Sequence, residues 1–392
     1  MPGSAVCSRL RERECVVGVP GKGGSTLNST TCDSGQLSAA VLLLERAVGA
    51  GFIPGYATAV HLNGKQILSH HGGSRVPGDP ESPVDADTPF LIASLTKPIV
   101  CAGALLLAAD GAFALHQPVR AFIPEFRDGR KDEVRLFHLF THTSGLYDQL
   151  PRSKELRAAH APIEQFVREV CRTDLLFAPG TRVSYQSMGI LLIGEIVERV
   201  SGMQLREYLQ TRLFAPLRMT NTVLGMPNGG MERAAHSLDA PFARDSNDVG
   251  DDWNTAYWRN FGAPWGGLHS TAADLGVFLS HTLGQTPGPL SPAVRKAMVA
   301  DQTALLPLLS RSDTAVNRWG LGWALGLESF GTFVSRSTFG HRGATGSLFW
   351  ADPDTRLSCV LLTNQPRVWR ESPPEFADLP ARYSNTVAAG IQ

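Results

Sequence analysis

Apolar and polar positions along this chain change period several times, and each change marks an element. Residues 36–50, QLSAAVLLLERAVGA, repeat at helical spacing and stop at Gly51, which predicts an amphipathic helix. YATAVHLNGKQILSHHGG follows, where two alternating runs flank Asn63-Gly64, a dipeptide suited to a two-residue hairpin turn. Residues 94–110 predict a helix whose apolar side runs through IVCAGALLLAA. Helical spacing recurs at 162–172, 188–200, 203–213 and 271–283, separated by loops rich in Gly, Pro and Asp, the longest over 226–268. RWGLGWALGL, GSLFWADP and LSCVLLTN return to strand patterns, and a last helix is expected near 374–389.

The order is therefore helix, hairpin, helical insert, strands, helix. Strands from both ends of the chain can pair in one antiparallel sheet covered by the terminal helices. The expected fold class is α/β in the broad sense, more narrowly α+β. A sheet subdomain comes from 35–90 and 315–392, and a helical subdomain from 94–314. A cleft between such layers suits a small-molecule site. Residues 1–34 are rich in Gly, Ser and Thr without a period, and read as a flexible leader before a single domain over 35–392.

Composition narrows the function. The 392 residues carry 36 basic and 36 acidic side chains, so no net charge draws the chain to nucleic acid or an anionic membrane. No apolar run reaches the length of a membrane span. The start, MPGSAVCSRLRERECVVGVPGKGGS, has no apolar core of a signal peptide, so a cytoplasmic protein is expected. A start codon further upstream would change that to a periplasmic or secreted one. Of the six cysteines, Cys101, Cys171 and Cys359 lie in apolar runs and read as small buried hydrophobes. Cys7, Cys15 and Cys32 lie in the leader, and no C-x-x-C spacing suggests zinc. His138 and His142 have i,i+4 spacing, but no Glu follows His138 as a zinc-protease helix requires. Gly21-Lys22 lacks the Ser or Thr that a phosphate loop places next. No metal and no cofactor are expected.

Chemistry gathers first at Ser94-Leu95-Thr96-Lys97. On a helix, positions i and i+3 share a face, so the Lys97 ammonium can reach the Ser94 hydroxyl. Serine needs a neighbouring base to act as a nucleophile. The N–H groups of a helix start suit an oxyanion. A second element is Tyr185-Gln186-Ser187, just before a helix, where a phenol can shuttle protons in a cleft. A third is His341-Arg342-Gly343, where glycine lets the backbone approach closely and the histidine can titrate near neutrality.

Together these strings carry a resemblance. Asp87-Thr-Pro-Phe90-Leu-Ile92-Ala93-Ser94-Leu-Thr-Lys97 resembles the D-x-x-F-x-I-A-S-x-T-K signature of class C β-lactamases, serine DD-peptidases and family VIII esterases. The Tyr185 string resembles the family's Y-x-N element, with Ser187 where β-lactamases carry Asn. FGHRGATGS resembles the K-T-G strand in its H-x-G form. LFTHTSGL at 139–146 and GGLHSTAADL at 266–275 resemble two further family segments. The first reads as packing behind the site, the second as a cap at Ser270 or Thr271 for the next helix. The resemblance covers 36–389 and implies a penicillin-binding-protein-like fold. It implies Ser94, Lys97, Tyr185 and His341 as catalytic residues, with the N–H groups of Ser94 and Ala344 as oxyanion hole.

Substrate contacts are expected from Ser187, Arg342 and Gly343, and from Tyr257, Trp258 and Trp265 in the aromatic-rich loop. The activity expected is carboxylesterase action on a small ester through an acyl-enzyme. A β-lactamase or D-Ala-type peptidase or amidase, an acyltransferase, and a catalytically silent binding protein are the alternatives. Ser187 cannot offer the amide of an asparagine, which leans away from β-lactams. The absence of a G-x-S-x-G elbow argues against an α/β-hydrolase.

Overall fold

The computed structural model describes residues 31–226, 231–238, 253–306, 318–326, 330–366 and 373–392. Residues 1–30 of the expected leader lie outside the described residues. Thr31 to Ser34 already belong to the folded domain: Thr31 N–H donates to the Gln392 carbonyl at 3.1 Å, and Cys32 bridges Ile391. Asp33 caps the first helix, Ser34–Gly49, by accepting from Gly35 N–H at 2.7 Å.

The hairpin forms at the expected place, β1 (Gly55–Leu62) against β2 (Lys65–Gly73). Asn63 and Gly64 both take positive φ, 52° and 76°, as a twist-matched two-residue turn requires. Ten strands are described: β3 (Phe90–Leu91), β4 (Val223–Leu224), β5 (Leu268–Ser270), β6 (Arg318–Trp319), β7 (Ala324–Leu325), β8 (Phe339–Arg342), β9 (Leu348–Asp352) and β10 (Leu357–Thr363) complete the set. Seven form one antiparallel sheet in the order β2-β1-β10-β9-β8-β7-β6. Strands from both ends of the chain thus meet at the β1–β10 pair.

Both faces of that pair are covered, which is why β10 reads as a continuous apolar run. Cys359 and Leu361 face the first helix and the C-terminal helix Leu379–Ala388, packing with Leu44 and Tyr383. Val360 and Leu362 face the other core, with Leu275 and Phe278 of the Ala272–Thr282 helix. Trp350 in β9 is fully buried and its indole N–H donates to Ser384 Oγ at 2.9 Å, tying the sheet to the last helix.

The middle of the chain folds around the Thr96–Ala109 helix, buried along nearly its whole length against the Met188–Ser201 helix. Gly103 lets the Leu205–Leu209 helix approach the same helix, since a Cβ there would lie 2.5 Å from Leu209 Cδ2. The helices expected at 162–172, 188–200 and 271–283 are present as Ile163–Arg172, Met188–Ser201 and Ala272–Thr282. The one expected at 203–213 is present from Leu205, where an α segment over Leu205–Leu209 passes without a break into a π turn over Gln210–Phe214. This part is not wholly helical, because β3, β5 and β4 make a three-stranded ribbon. Each has only two or three residues, too few for a readable period. Part of 226–268 lies outside the described residues, but within it Thr255 caps a helix at Ala256–Phe261.

Candidate active site

Ser94 stands on a 3₁₀ turn, Ala93–Leu95, that feeds the Thr96–Ala109 helix. Ala93 has φ +47°, a left-handed conformation costing a non-glycine residue about 1–3 kcal/mol. Leu268 of β5 clamps this turn from both sides. Its carbonyl accepts from Ile92 N–H at 3.0 Å, and its N–H donates to Thr96 Oγ1 at 3.2 Å.

Lys97 is 1% exposed. Its Nζ donates to Ser94 Oγ at 3.0 Å and to the Trp265 main-chain carbonyl at 2.9 Å. It also lies 4.8 Å from the centre of the Tyr185 ring. A buried ammonium is costly unless partners replace its water, and these groups do so.

Tyr185 sits in an aromatic wall. Ring centres lie 4.9 Å away for His142, 5.8 Å for His341 and 5.9 Å for Trp319. His142 is fully buried, and its Nδ1 accepts from Gln186 N–H at 3.2 Å. Burial first, then the charges of Lys97 and His341, hold its pKa well below the usual imidazole value, so the ring is neutral. Segment 139–146 thus packs directly behind Tyr185. Trp319 of β6 is a further wall residue, and its sequence carries only a strand pattern with no mark of the site.

His341, in β8, pairs its Nδ1 with the Arg342 carbonyl at 2.8 Å. A carbonyl only accepts, so Nδ1 carries the hydrogen, which leaves Nε2 with the lone pair in the neutral ring. Gly343 brings the end of β8 against the Ser94 turn. A Cβ there would stand 2.6 Å from the Ile92 carbonyl oxygen. Thr345 Oγ1 donates to the Leu91 carbonyl at 2.9 Å and pins the same contact. Among the described residues, neither the Ser94 nor the Ala344 N–H meets an acceptor. Two such donors on adjoining segments suit an oxyanion.

The expected substrate contacts divide. Arg342 points away from His341, as alternate strand residues do, and pairs with Asp378 of the C-terminal segment at 3.0 Å. Tyr257 stacks on His160 and donates its hydroxyl to the Ala161 carbonyl at 2.8 Å. The Trp265 ring is buried beside Phe166 and Phe261, so this residue meets Lys97 through its carbonyl and not through its indole. Trp258 packs with Ala344, Leu91 and Trp253, under the Arg157 guanidinium. Ser187 is buried and donates its hydroxyl to Asp148 Oδ1 at 2.6 Å. At the last motif, Thr271 and not Ser270 caps the helix, accepting from Asp274 N–H.

Among the described residues, no cluster of three or more His, Cys, Asp or Glu could hold a metal, and no helix is long and apolar enough to cross a membrane.

Known proteins resemble this chain in sequence and in fold. The chain is 27% identical over 343 residues to esterase EstB of Burkholderia gladioli, covering 79% of this chain and 85% of that one. It is 28% identical over 318 residues to a putative D-alanyl-D-alanine carboxypeptidase of Escherichia coli K12, covering 73% and 71%. A penicillin-binding protein homologue from Caulobacter crescentus superposes with TM-score 0.75 at 22% identity, over 92% of this chain and 99% of that one. The Beta-lactamase family model matches residues 42–377, so the chain belongs to the Beta-lactamase family, with its penicillin-binding-protein fold.

Proposed function

We propose that the chain is a serine hydrolase that cleaves small carboxylic esters through an acyl-enzyme on Ser94. The observation that carries this reading is the 3.0 Å contact of Lys97 Nζ with Ser94 Oγ, held in place by the Trp265 carbonyl. Ser94 Oγ attacks the ester carbonyl while its proton passes to Tyr185, to Lys97 once its ammonium has released a proton, or to the two acting together. The oxyanion is received by the N–H groups of Ser94 and Ala344. Collapse expels the alcohol, which takes a proton through Tyr185, and water then attacks the acyl-enzyme. His341 sets the polarity beside Tyr185.

Amide cleavage is the second reading, favoured by the relative named as a carboxypeptidase. The Ser187 hydroxyl, committed to Asp148, supports the ester instead, because it has no hydrogen left for a substrate amide carbonyl.

A fluorophosphonate probe tests the nucleophile: wild type is labelled and Ser94→Ala is not. Equal labelling of both proteins refutes it. A panel of short-chain aryl esters, a chromogenic cephalosporin and a D-Ala-D-Ala peptide tests the substrate. The esters are expected to give the highest kcat/KM, and a faster cephalosporin or peptide reverses the ranking.

A further inference from the structure

Ser187 and Asp148 form a pair that the reaction scheme leaves unused. Ser187 is buried, whereas the Asp148 carboxylate on its hydroxyl is exposed. A hydroxyl has one hydrogen to donate, and Ser187 gives it to Asp148. What this corner presents outward is therefore an acceptor-only carboxylate. Among the described residues, no Lys, Arg or His stands within ion-pair distance of it. Arg157, which reaches the next residue along, donates to Gln149 Oε1 at 3.0 Å and lies over the face of Trp258.

The carboxylate is joined to the segment that carries Tyr185. Ser187 follows Tyr185 by two residues, and two residues of chain span at most about 7 Å. The Tyr185 ring is itself 4.8 Å from Lys97 Nζ. The neighbouring Tyr147 carbonyl accepts from Met188 N–H at 3.3 Å, which fixes the Asp148 loop to the same helix start.

We propose that Asp148, held by Ser187, is a subsite for a cationic nitrogen, and that the preferred substrates are esters or amides bearing an ammonium group. This rests on the reading of Ser94 as the nucleophile of a hydrolase. An anionic substituent placed in the same corner meets like charge and is disfavoured.

The test uses three p-nitrophenyl esters whose acyl chains end in trimethylammonium, tert-butyl or carboxylate. Wild type is expected to prefer the ammonium ester over its neutral isostere by about tenfold in kcat/KM, less at high salt. Asp148→Asn is expected to bring the two within twofold and to improve the carboxylate ester. Ser187→Ala, which keeps the charge, is expected to retain the ammonium preference. Equal ratios in wild type and Asp148→Asn overturn the proposal. Failure of the hydrolase reading is seen separately, as no labelling of Ser94 and no turnover of any ester. Charge preference is then read by calorimetry with the three matching amides on wild type and Asp148→Asn. Tighter binding of the ammonium amide to wild type alone supports the subsite, and equal binding overturns it.

Discussion

The Lys97 ammonium is anchored on the main-chain carbonyl of Trp265, 2.9 Å away and 168 residues later in the chain. That carbonyl is one of the groups compensating the buried charge and aims Nζ at Ser94. The pairing ties the Ser94–Lys97 pair to a loop more than a hundred residues later in the chain.

Replacing Lys97 by Met keeps the volume and removes the charge. Under the proposed mechanism kcat falls by about 10²–10⁴, the usual worth of proton transfer. Thermal stability is expected to hold or rise, because an apolar isostere avoids the desolvation of a buried ion. Parallel esterase assays and thermal melts check both, and a kcat within tenfold of wild type contradicts the role.

Gly343→Ala introduces a Cβ 2.6 Å from the Ile92 carbonyl oxygen, a backbone atom that cannot swing aside. The end of β8 must retreat from the Ser94 turn. We expect a loss of about 1–3 kcal/mol in denaturant titrations, typical of overpacking. Labelling of Ser94 by a fluorophosphonate slows with it. Unchanged stability and labelling rate together exclude the tight approach.

The Arg342–Asp378 pair joins β8 to the C-terminal segment, away from the cleft. Asp378 is half exposed, so solvent screens the attraction, and a double-mutant cycle is expected to give a coupling of about 0–1 kcal/mol. Arg342→Ala leaves KM for the esters unchanged. A rise of tenfold in KM returns Arg342 to the substrate site.

Stability is expected to fall in mild acid. Burial lowers the pKa of His61 and His138 to about 4 and of His269 to about 3. In the unfolded chain these rings take up protons near pH 6.5. Below that pH the unfolded state binds protons that the folded state refuses, so stability present above pH 6.5 is lost progressively toward pH 4. For His61 alone the loss is on the order of 3 kcal/mol. Urea titrations at pH 7 and pH 5 on wild type and His61→Asn measure it, and parallel pH dependences remove His61 from the account.

The elements easiest to read were those that local geometry sets. Ser94 and Lys97 meet because three residues of helical backbone bring i and i+3 to one face. Asn63-Gly64 turns because that dipeptide accepts positive φ. β10 was legible because burial on both faces leaves a continuous apolar run. The ribbon β3-β5-β4 was not, since β3 finds β5 only far along the chain, Phe90 against Ser270, and all three strands are too short to show a period.

By itself, then, the sequence determined the fold class, the hairpin, the Ser94–Lys97 turn and the family, all written in local spacing and short strings. Only the tertiary structure decided which atoms those residues meet. It gave Lys97 a carbonyl in place of an indole, turned Arg342 to Asp378, and laid Asp148 on Ser187. The reason is physical: backbone geometry fixes neighbours three or four residues apart, whereas distant partners are chosen by how buried polar groups find acceptors once the chain has packed.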